Sequence, residues 1–159
     1  MIAKNKIIVS LLLIIQLGCS EAKIEMFDAD SLLRSRASLT RKTKLPVNLN
    51  LCKLNSFKWD RIIIVAPYST SETIKKYNLK NSRYVEKHLL GFLYQETHCL
   101  LLFVDKNTVT KYSYVSNVNM NFNYINNTDT NKLIFRDLSC ELFVKDTDKG
   151  LKLFLSKIE

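Results

Sequence analysis

Apolar and polar positions alternate with a period of two over residues 47–51 and again over 151–158, which is typical of half-buried strands. Between them, residues 61–65 form a continuous β-branched run, which predicts a strand covered on both faces at the centre of a sheet. The apolar run 99–104 and the β-forming run 108–115 flank a short polar turn and predict a hairpin. Two further short strands are predicted at the remaining apolar runs, 133–135 and 139–144.

Helix-capping residues predict up to three short helices. Asp28 and its polar neighbours precede Leu32 and predict a helix to about residue 41, which ends before Pro46. A cluster of Ser, Thr and Glu predicts a second helix around residues 70–77. A third is predicted from residue 82, with Gly91 at its end.

The order of these elements predicts an α+β domain over residues 28–159. Strands that are mostly joined by short turns favour a mainly antiparallel sheet of about five to seven strands, with one to three short helices on one face. The asparagine-rich segment 117–131 is predicted to be a long loop or a weak edge strand.

The first 18 residues have the pattern of a bacterial export signal. Lys4 and Lys6 precede a short apolar run at residues 7–15, which is shorter than the roughly 20 residues that a bilayer span needs. Gly18-Cys19 follows, and a cysteine directly after a small residue resembles a lipobox, in which the cysteine becomes the acylated N-terminus. We therefore predict lipidation of Cys19.

Two other interpretations of the leader stay open, because Gln16 stands where the lipobox usually has Leu, Val or Ile. Ordinary signal peptidase can cut after Ala22, or Cys19 is a plain cysteine in an uncleaved leader. If Cys19 is lipidated, residues 19–27 are predicted to be a lipidated tether. Ser20 directly after it resembles sorting to an outer membrane, facing the periplasm, in an organism with two membranes.

Without its leader the chain is a single basic domain. Removal of residues 1–18 from 159 leaves 141 residues, which is enough to bury one hydrophobic core without the help of disulfides or structural metals. The formal net charge of +9 falls to about +7, because Lys4 and Lys6 leave with the leader. A basic exported domain is compatible with an anionic envelope component, although general solubility is the favoured explanation of the charge. Export argues against a nucleic-acid partner.

The remaining cysteines, Cys52, Cys99 and Cys140, are odd in number, so at most one disulfide forms among them. An exported protein retains such a bond, but the sequence does not choose among the three pairings. No metal site is predicted, because no cysteine lies near another. His98 and Cys99 point to opposite faces if they lie on a strand.

The segment Phe57-Lys58-Trp59-Asp60, followed by an apolar strand and then Pro67-Tyr68-Ser69, resembles a group of small uncharacterised bacterial lipoproteins. Their pattern is an aromatic residue, Trp-Asp, an apolar strand and Pro-Tyr-Thr or Pro-Tyr-Ser before a helix. The resemblance implies the same fold and an envelope location. It implies no activity and no cofactor.

Physical chemistry gives the Trp-Asp segment two interpretations. In the favoured one, Trp59 is a core anchor, and Asp60 accepts hydrogen bonds from backbone amides or pairs with Arg61. In the other, Trp59, Asp60, Tyr68 and Glu72 form a ligand-facing cluster at the sheet edge.

No nucleotide-binding, protease or esterase motif is present in the sequence, so a non-enzymatic protein is favoured. We expect a membrane-anchored envelope lipoprotein with a binding or structural role, whose partner is an envelope protein or an anionic envelope component. The alternative is an inhibitor or immunity-type protein that binds a toxin or hydrolase. A basic inhibitor needs an acidic target.

Overall fold

The computed structural model describes residues 23–53, 56–94, 97–116, 132–136, 140–147 and 150–155. These residues contain three α-helices, two short 3₁₀ helices and eight strands. The helices are α1 (Ala29–Thr43), α2 (Ser71–Lys75) and α3 (Ser82–His88), and the 3₁₀ helices are Leu51–Lys53 and Leu90–Tyr94. The strands are β1 (Glu25–Met26), β2 (Val47–Asn50), β3 (Arg61–Val65), β4 (His98–Asp105), β5 (Thr108–Ser116), β6 (Lys132–Phe135), β7 (Glu141–Thr147) and β8 (Gly150–Leu155).

The strands form two sheets. The larger has the order β1-β5-β4-β3-β6 and the smaller has the order β2-β7-β8. Every pairing is antiparallel except that of β1 with β5. The predicted α+β class and mainly antiparallel pairing are confirmed, although the strands divide into two sheets.

The larger sheet is buried on both faces, as the β-branched run of β3 predicts. Ile62 and Ile64 belong to a core shared with α1 and the smaller sheet. Ile63 and Val65 point the other way, into a core shared with α2 and α3. Helices therefore cover both faces of this sheet, whereas the sequence predicted them on one face.

The middle strand of the larger sheet is β4, and β3 lies beside it. The prediction that β3 is the most central strand was therefore wrong by one position. All six residues 99–104 of β4 are buried, so its apolar run is as continuous as that of β3. An apolar run alone therefore does not show which of two strands, both buried on both faces, is the middle strand of the sheet.

Helix α1 begins and ends where its sequence signals predict. The side chain of Asp28 accepts a hydrogen bond from the Ser31 amide at 3.0 Å, which caps the first turn. At the other end, Lys44 takes a left-handed conformation with φ 58°, and its amide donates to the Thr40 carbonyl. The helix buries one face of small and apolar residues against the sheets: Ala29, Leu33, Ala37 and Thr40.

The β4–β5 hairpin is also confirmed. Its two central turn residues, Lys106 and Asn107, have φ values of 48° and 66°. Two consecutive left-handed residues make the kind of tight turn that matches the twist of paired strands. The pairing runs from His98–Ser116 to Asp105–Thr108 with one irregularity beside Phe103.

The fold begins before the predicted boundary at Asp28. Ile24 is buried, and Glu25 and Met26 pair with Lys111 and Tyr112 of β5. Phe27 packs its ring against two other phenylalanines of the core. Residues 24–27 are thus part of the domain and not of a tether. A parallel pairing with a distant strand leaves no local sequence signal.

The remaining differences are small. Helix α3 ends at His88, and Gly91 lies inside the 3₁₀ helix Leu90–Tyr94 instead of ending the α-helix. The predicted strand at 139–144 extends to Thr147, and its partner begins at Gly150. The predicted loop at 117–131 lies outside the described residues, as do the leader and Cys19.

Candidate functional site

Trp59 lies in the core at the entrance of β3. Its exposed fraction is 3%, and its ring packs edge-on against Phe103 at 6.3 Å. The guanidinium of Arg136, which follows β6, lies 5.2 Å from the ring centroid. This arrangement agrees with the core-anchor interpretation of Trp59.

Asp60 organises the backbone around this point. One carboxylate oxygen accepts a hydrogen bond from the Lys106 amide at 2.8 Å, and the other lies 3.2 Å from a guanidinium nitrogen of Arg61. The Asp60 amide donates to the Val104 carbonyl, and its own carbonyl accepts from the Arg136 amide. Both predicted roles, acceptor of a backbone amide and partner of Arg61, are therefore present. Asp60 ties the β4–β5 turn and the end of β6 to β3.

Tyr68 and Glu72 lie beyond the opposite end of β3. The five residues of that strand separate them from Asp60, a distance of roughly 17 Å. Tyr68 is exposed, and its amide donates to the Leu93 carbonyl. The carboxylate of Glu72 pairs with Lys75 at 2.7 Å, and this hydrogen bond lowers the pKa of the Glu72 carboxyl. The prediction of one ligand-facing cluster is therefore wrong, because Trp59 and Asp60 lie at one end of β3 and Tyr68 and Glu72 lie beyond the other.

Glu72 instead borders a cleft of about 350 Å³ between α2 and α3. Glu86, Lys87 and Tyr94 line the far side of this cleft. Its walls carry both acidic and basic side chains and are open to solvent, so the cleft has no strong electrostatic potential that would attract a ligand of one charge.

A second groove runs between α1 and β2, and it was not among the sites predicted from the sequence. Its volume is about 440 Å³. Leu32 and Leu49 give it an apolar floor, while Arg36, Asn50 and Lys53 give it polar walls. The signal in the sequence was Arg36 itself, because it lies one helical turn after Leu32 on a face that is otherwise directed to the protein interior.

Two polar atoms in this groove are buried without hydrogen-bond partners among the described residues: Nε of Arg36 and Oδ1 of Asn50. The Asn50 amide nitrogen is already used, since it donates to Glu141 at 2.7 Å. A buried donor and acceptor without partners are costly unless water or a ligand satisfies them. The groove therefore places two cationic side chains, Arg36 and Lys53, beside an apolar floor, which suits an anionic ligand.

The structure shows which two cysteines form a disulfide, a choice that the sequence left open. Cys52 and Cys140 form a disulfide with their Cα atoms 5.3 Å apart, within the usual range. The bond lies next to the β2–β7 pairing, where the Leu51 amide donates to the Cys140 carbonyl. Cys99 is a buried thiol in the core between the larger sheet and α1.

His98 and Cys99 point to opposite faces of β4, as their adjacency on a strand requires. The His98 ring contacts the Thr97 hydroxyl at 2.8 Å. Within the ranges that the structure describes, no group of three or more His, Cys, Asp or Glu side chains is placed to hold a metal ion. No helix in those ranges has the length and apolarity that crossing a bilayer requires.

Comparisons of the chain with protein-family models, with curated proteins and with solved structures find no match. The likeness of residues 57–69 to small bacterial lipoproteins therefore stays a prediction from the sequence.

Proposed function

We propose that this protein is a lipid-anchored component of the bacterial envelope with a non-enzymatic binding role. Acylation of Cys19 holds it to the membrane, and the groove between α1 and β2 binds an anionic group of the envelope. The observation that carries the proposal is a cysteine that directly follows an export-type leader and stands five residues before Ile24, the first buried residue described.

The Cys52–Cys140 disulfide supports the location. Such bonds persist in oxidising compartments outside the cytosol and are rare inside it. Its position beside a paired strand, with Cys99 kept apart in the core, is typical of a structural bond.

The binding part of the proposal uses the Arg36 groove because it joins an apolar floor to two cationic side chains, Arg36 and Lys53. Arginine matches phosphate and carboxylate oxygens with more than one donor, and Lys53 adds a second positive charge. A phosphate-rich envelope polymer fits this chemistry.

Replacement of Cys19 by alanine tests the anchor. We expect wild-type protein in membranes to incorporate a labelled fatty acid and Cys19→Ala to incorporate none, because the thiol is the acylation site. The matched control Cys99→Ala removes another thiol and is expected to keep the label. Mass spectrometry of the first peptide, with and without globomycin, measures the modification directly. An unmodified N-terminal peptide that begins at Lys23 would instead support cleavage after Ala22.

The groove is tested by titration with a glycerol-phosphate polymer at physiological salt. We expect the double variant Arg36→Gln/Lys53→Gln to weaken binding about tenfold, or about 1.4 kcal/mol. The control Arg41→Gln/Lys42→Gln removes the same charge from the exposed end of α1. Equal losses in both pairs would mean that the whole basic surface attracts the polymer and that the groove is not the site.

A further inference from the structure

A partly exposed stripe of apolar and aromatic side chains, here called the aromatic stripe, crosses the edge of the larger sheet near the N-terminus. It consists of Met26, Tyr112, Tyr114 and Phe92. Met26 and Phe92 are 66% and 64% exposed, whereas the two tyrosines are half-buried against the core below them. Met26 pairs with Tyr112 in the β1–β5 register, and the Tyr112 ring lies 5.6 Å from that of Tyr114. Phe92 packs on Tyr114 at 5.0 Å, so the four side chains form one continuous surface.

Helix α3 borders this stripe along its length. At one end Asn81 exchanges two hydrogen bonds with the backbone of Val109, and at the other the Tyr114 hydroxyl donates to the Leu89 carbonyl. The helix therefore runs beside β5. Its surface carries a tilted Tyr84–His88 ring contact, with centroids 4.6 Å apart, and the exposed cation Arg83.

The acidic residue beside Met26 in the chain lies on the opposite face of the sheet. Glu25 pairs there with Lys111 of β5, and the hydrogen bond from Lys111 lowers the pKa of the Glu25 carboxyl. On the side of the stripe, Lys23 precedes β1 and Arg83 lies on α3, and both cations are exposed. Exposed cations attract anionic headgroups.

Covalent reach sets where this surface lies relative to the anchor. Cys19 and Lys23 are four positions apart, and a fully extended chain covers at most about 3.6 Å per position, or about 14 Å in all. A domain of this size has a radius of gyration of about 14 Å. An acylated Cys19 therefore cannot stand further from Lys23 than about half the width of the domain, and β1 follows Lys23 directly.

We propose that the aromatic stripe rests on the bilayer interface, with Met26 and Phe92 among the headgroups and the cations Lys23 and Arg83 on anionic lipid. This inference rests on the proposed acylation of Cys19, which keeps the N-terminal edge of the domain near the membrane surface. Exposed aromatic side chains favour this interface, and exposed apolar patches mark surfaces that bind a partner. The arrangement gives the domain a fixed orientation that leaves the Arg36 groove, on the other face of the larger sheet, directed away from the lipid.

The test places a tryptophan in the stripe of the full-length lipidated protein. Phe92→Trp is compared with Leu45→Trp, because Leu45 is 65% exposed and follows α1, which packs on the other face of the larger sheet. The proteins are reconstituted in vesicles of phosphatidylethanolamine and phosphatidylglycerol, with and without bromine on the upper acyl chain. The native Trp59 is buried and supplies the same background in both variants.

We expect brominated lipid to reduce the added emission of Phe92→Trp about twofold, because interfacial side chains reach the upper acyl region, and to leave Leu45→Trp nearly unchanged. Met26→Trp is the second position and should behave like Phe92→Trp. Equal quenching at Phe92 and Leu45, or none at either Phe92 or Met26, would overturn the docking.

Flotation of the same vesicles separates the two proposals. Protein that floats with the vesicles but shows no selective quenching retains its anchor and contradicts only the orientation. Protein that does not float contradicts the anchor and, with it, the orientation.

Discussion

Phe103→Ala is expected to lower the free energy of unfolding by about 4 kcal/mol, which is typical of a fully buried phenylalanine replaced by alanine. Phe103 is the centre of an aromatic cluster with an exposed fraction of 0%. The rings of Phe27, Phe57 and Trp59 approach it edge-on at 5.5, 5.1 and 6.3 Å. These contacts join the N-terminal segment and the entrance of β3 to β4.

Loss of the Phe103 ring leaves a cavity. The three neighbouring rings belong to different segments of the chain and cannot all move together to fill it. Urea unfolding followed by Trp59 fluorescence measures the effect, because Trp59 is the single tryptophan and lies against Phe103. Phe103→Leu keeps most of the volume and is expected to cost less than about 1.5 kcal/mol. Tyr94→Ala, at an exposed position, is expected to change stability by less than about 0.5 kcal/mol. A cost for Phe103→Ala equal to that of Tyr94→Ala would contradict the central place of this ring.

Reduction of the Cys52–Cys140 disulfide is expected to cost about 3 kcal/mol. The two cysteines are 88 positions apart, and the chain-entropy model gives about 4.5 kcal/mol for a loop of this length. Measured values usually fall below that model.

The double variant Cys52→Ala/Cys140→Ala should unfold at the midpoint of the reduced wild-type protein, and a reducing agent should not shift it further. Cys99→Ala is the control, because it removes a thiol and is expected to keep the response to the reducing agent. Peptide mapping without reduction identifies the bond. A crosslink that contains Cys99 would refute the pairing.

Local signals in the sequence predicted the elements that they control. Asp28 supplied a cap for α1, and the left-handed pair Lys106-Asn107 closed the β4–β5 hairpin. The β-branched run of β3 predicted burial on both faces. In each case the information lies within a few residues.

Pairings between distant segments could not be predicted in the same way. β1 is two residues long and pairs with β5, and β2 pairs with β7 to form a second sheet. Alternation in a strand says that one face is buried but not against which sheet. The division of Trp59 and Asp60 from Tyr68 and Glu72 has a simpler cause, since the strand between them sets their separation.

The candidate groove depends on a helix and a strand that meet only in the fold. Arg36 and Asn50 are ordinary polar residues in the sequence, and the absence of a partner for Arg36 Nε within the described residues is a property of packing. One hint was available in the sequence: Arg36 lies beside the apolar face of an amphipathic helix, where a charged side chain is unusual and can mark a binding site.

The parallel pairing of β1 has a consequence for the order of folding. Glu25 meets Lys111, a residue 86 positions further along the chain. In a chain that emerges from its N-terminus, this first strand waits until the β5 region has followed, because distant contacts close late. The burial of Ile24 and the packing of Phe27 therefore wait for a strand more than half the chain away, and the N-terminal edge of the domain cannot be completed before β5 is in place.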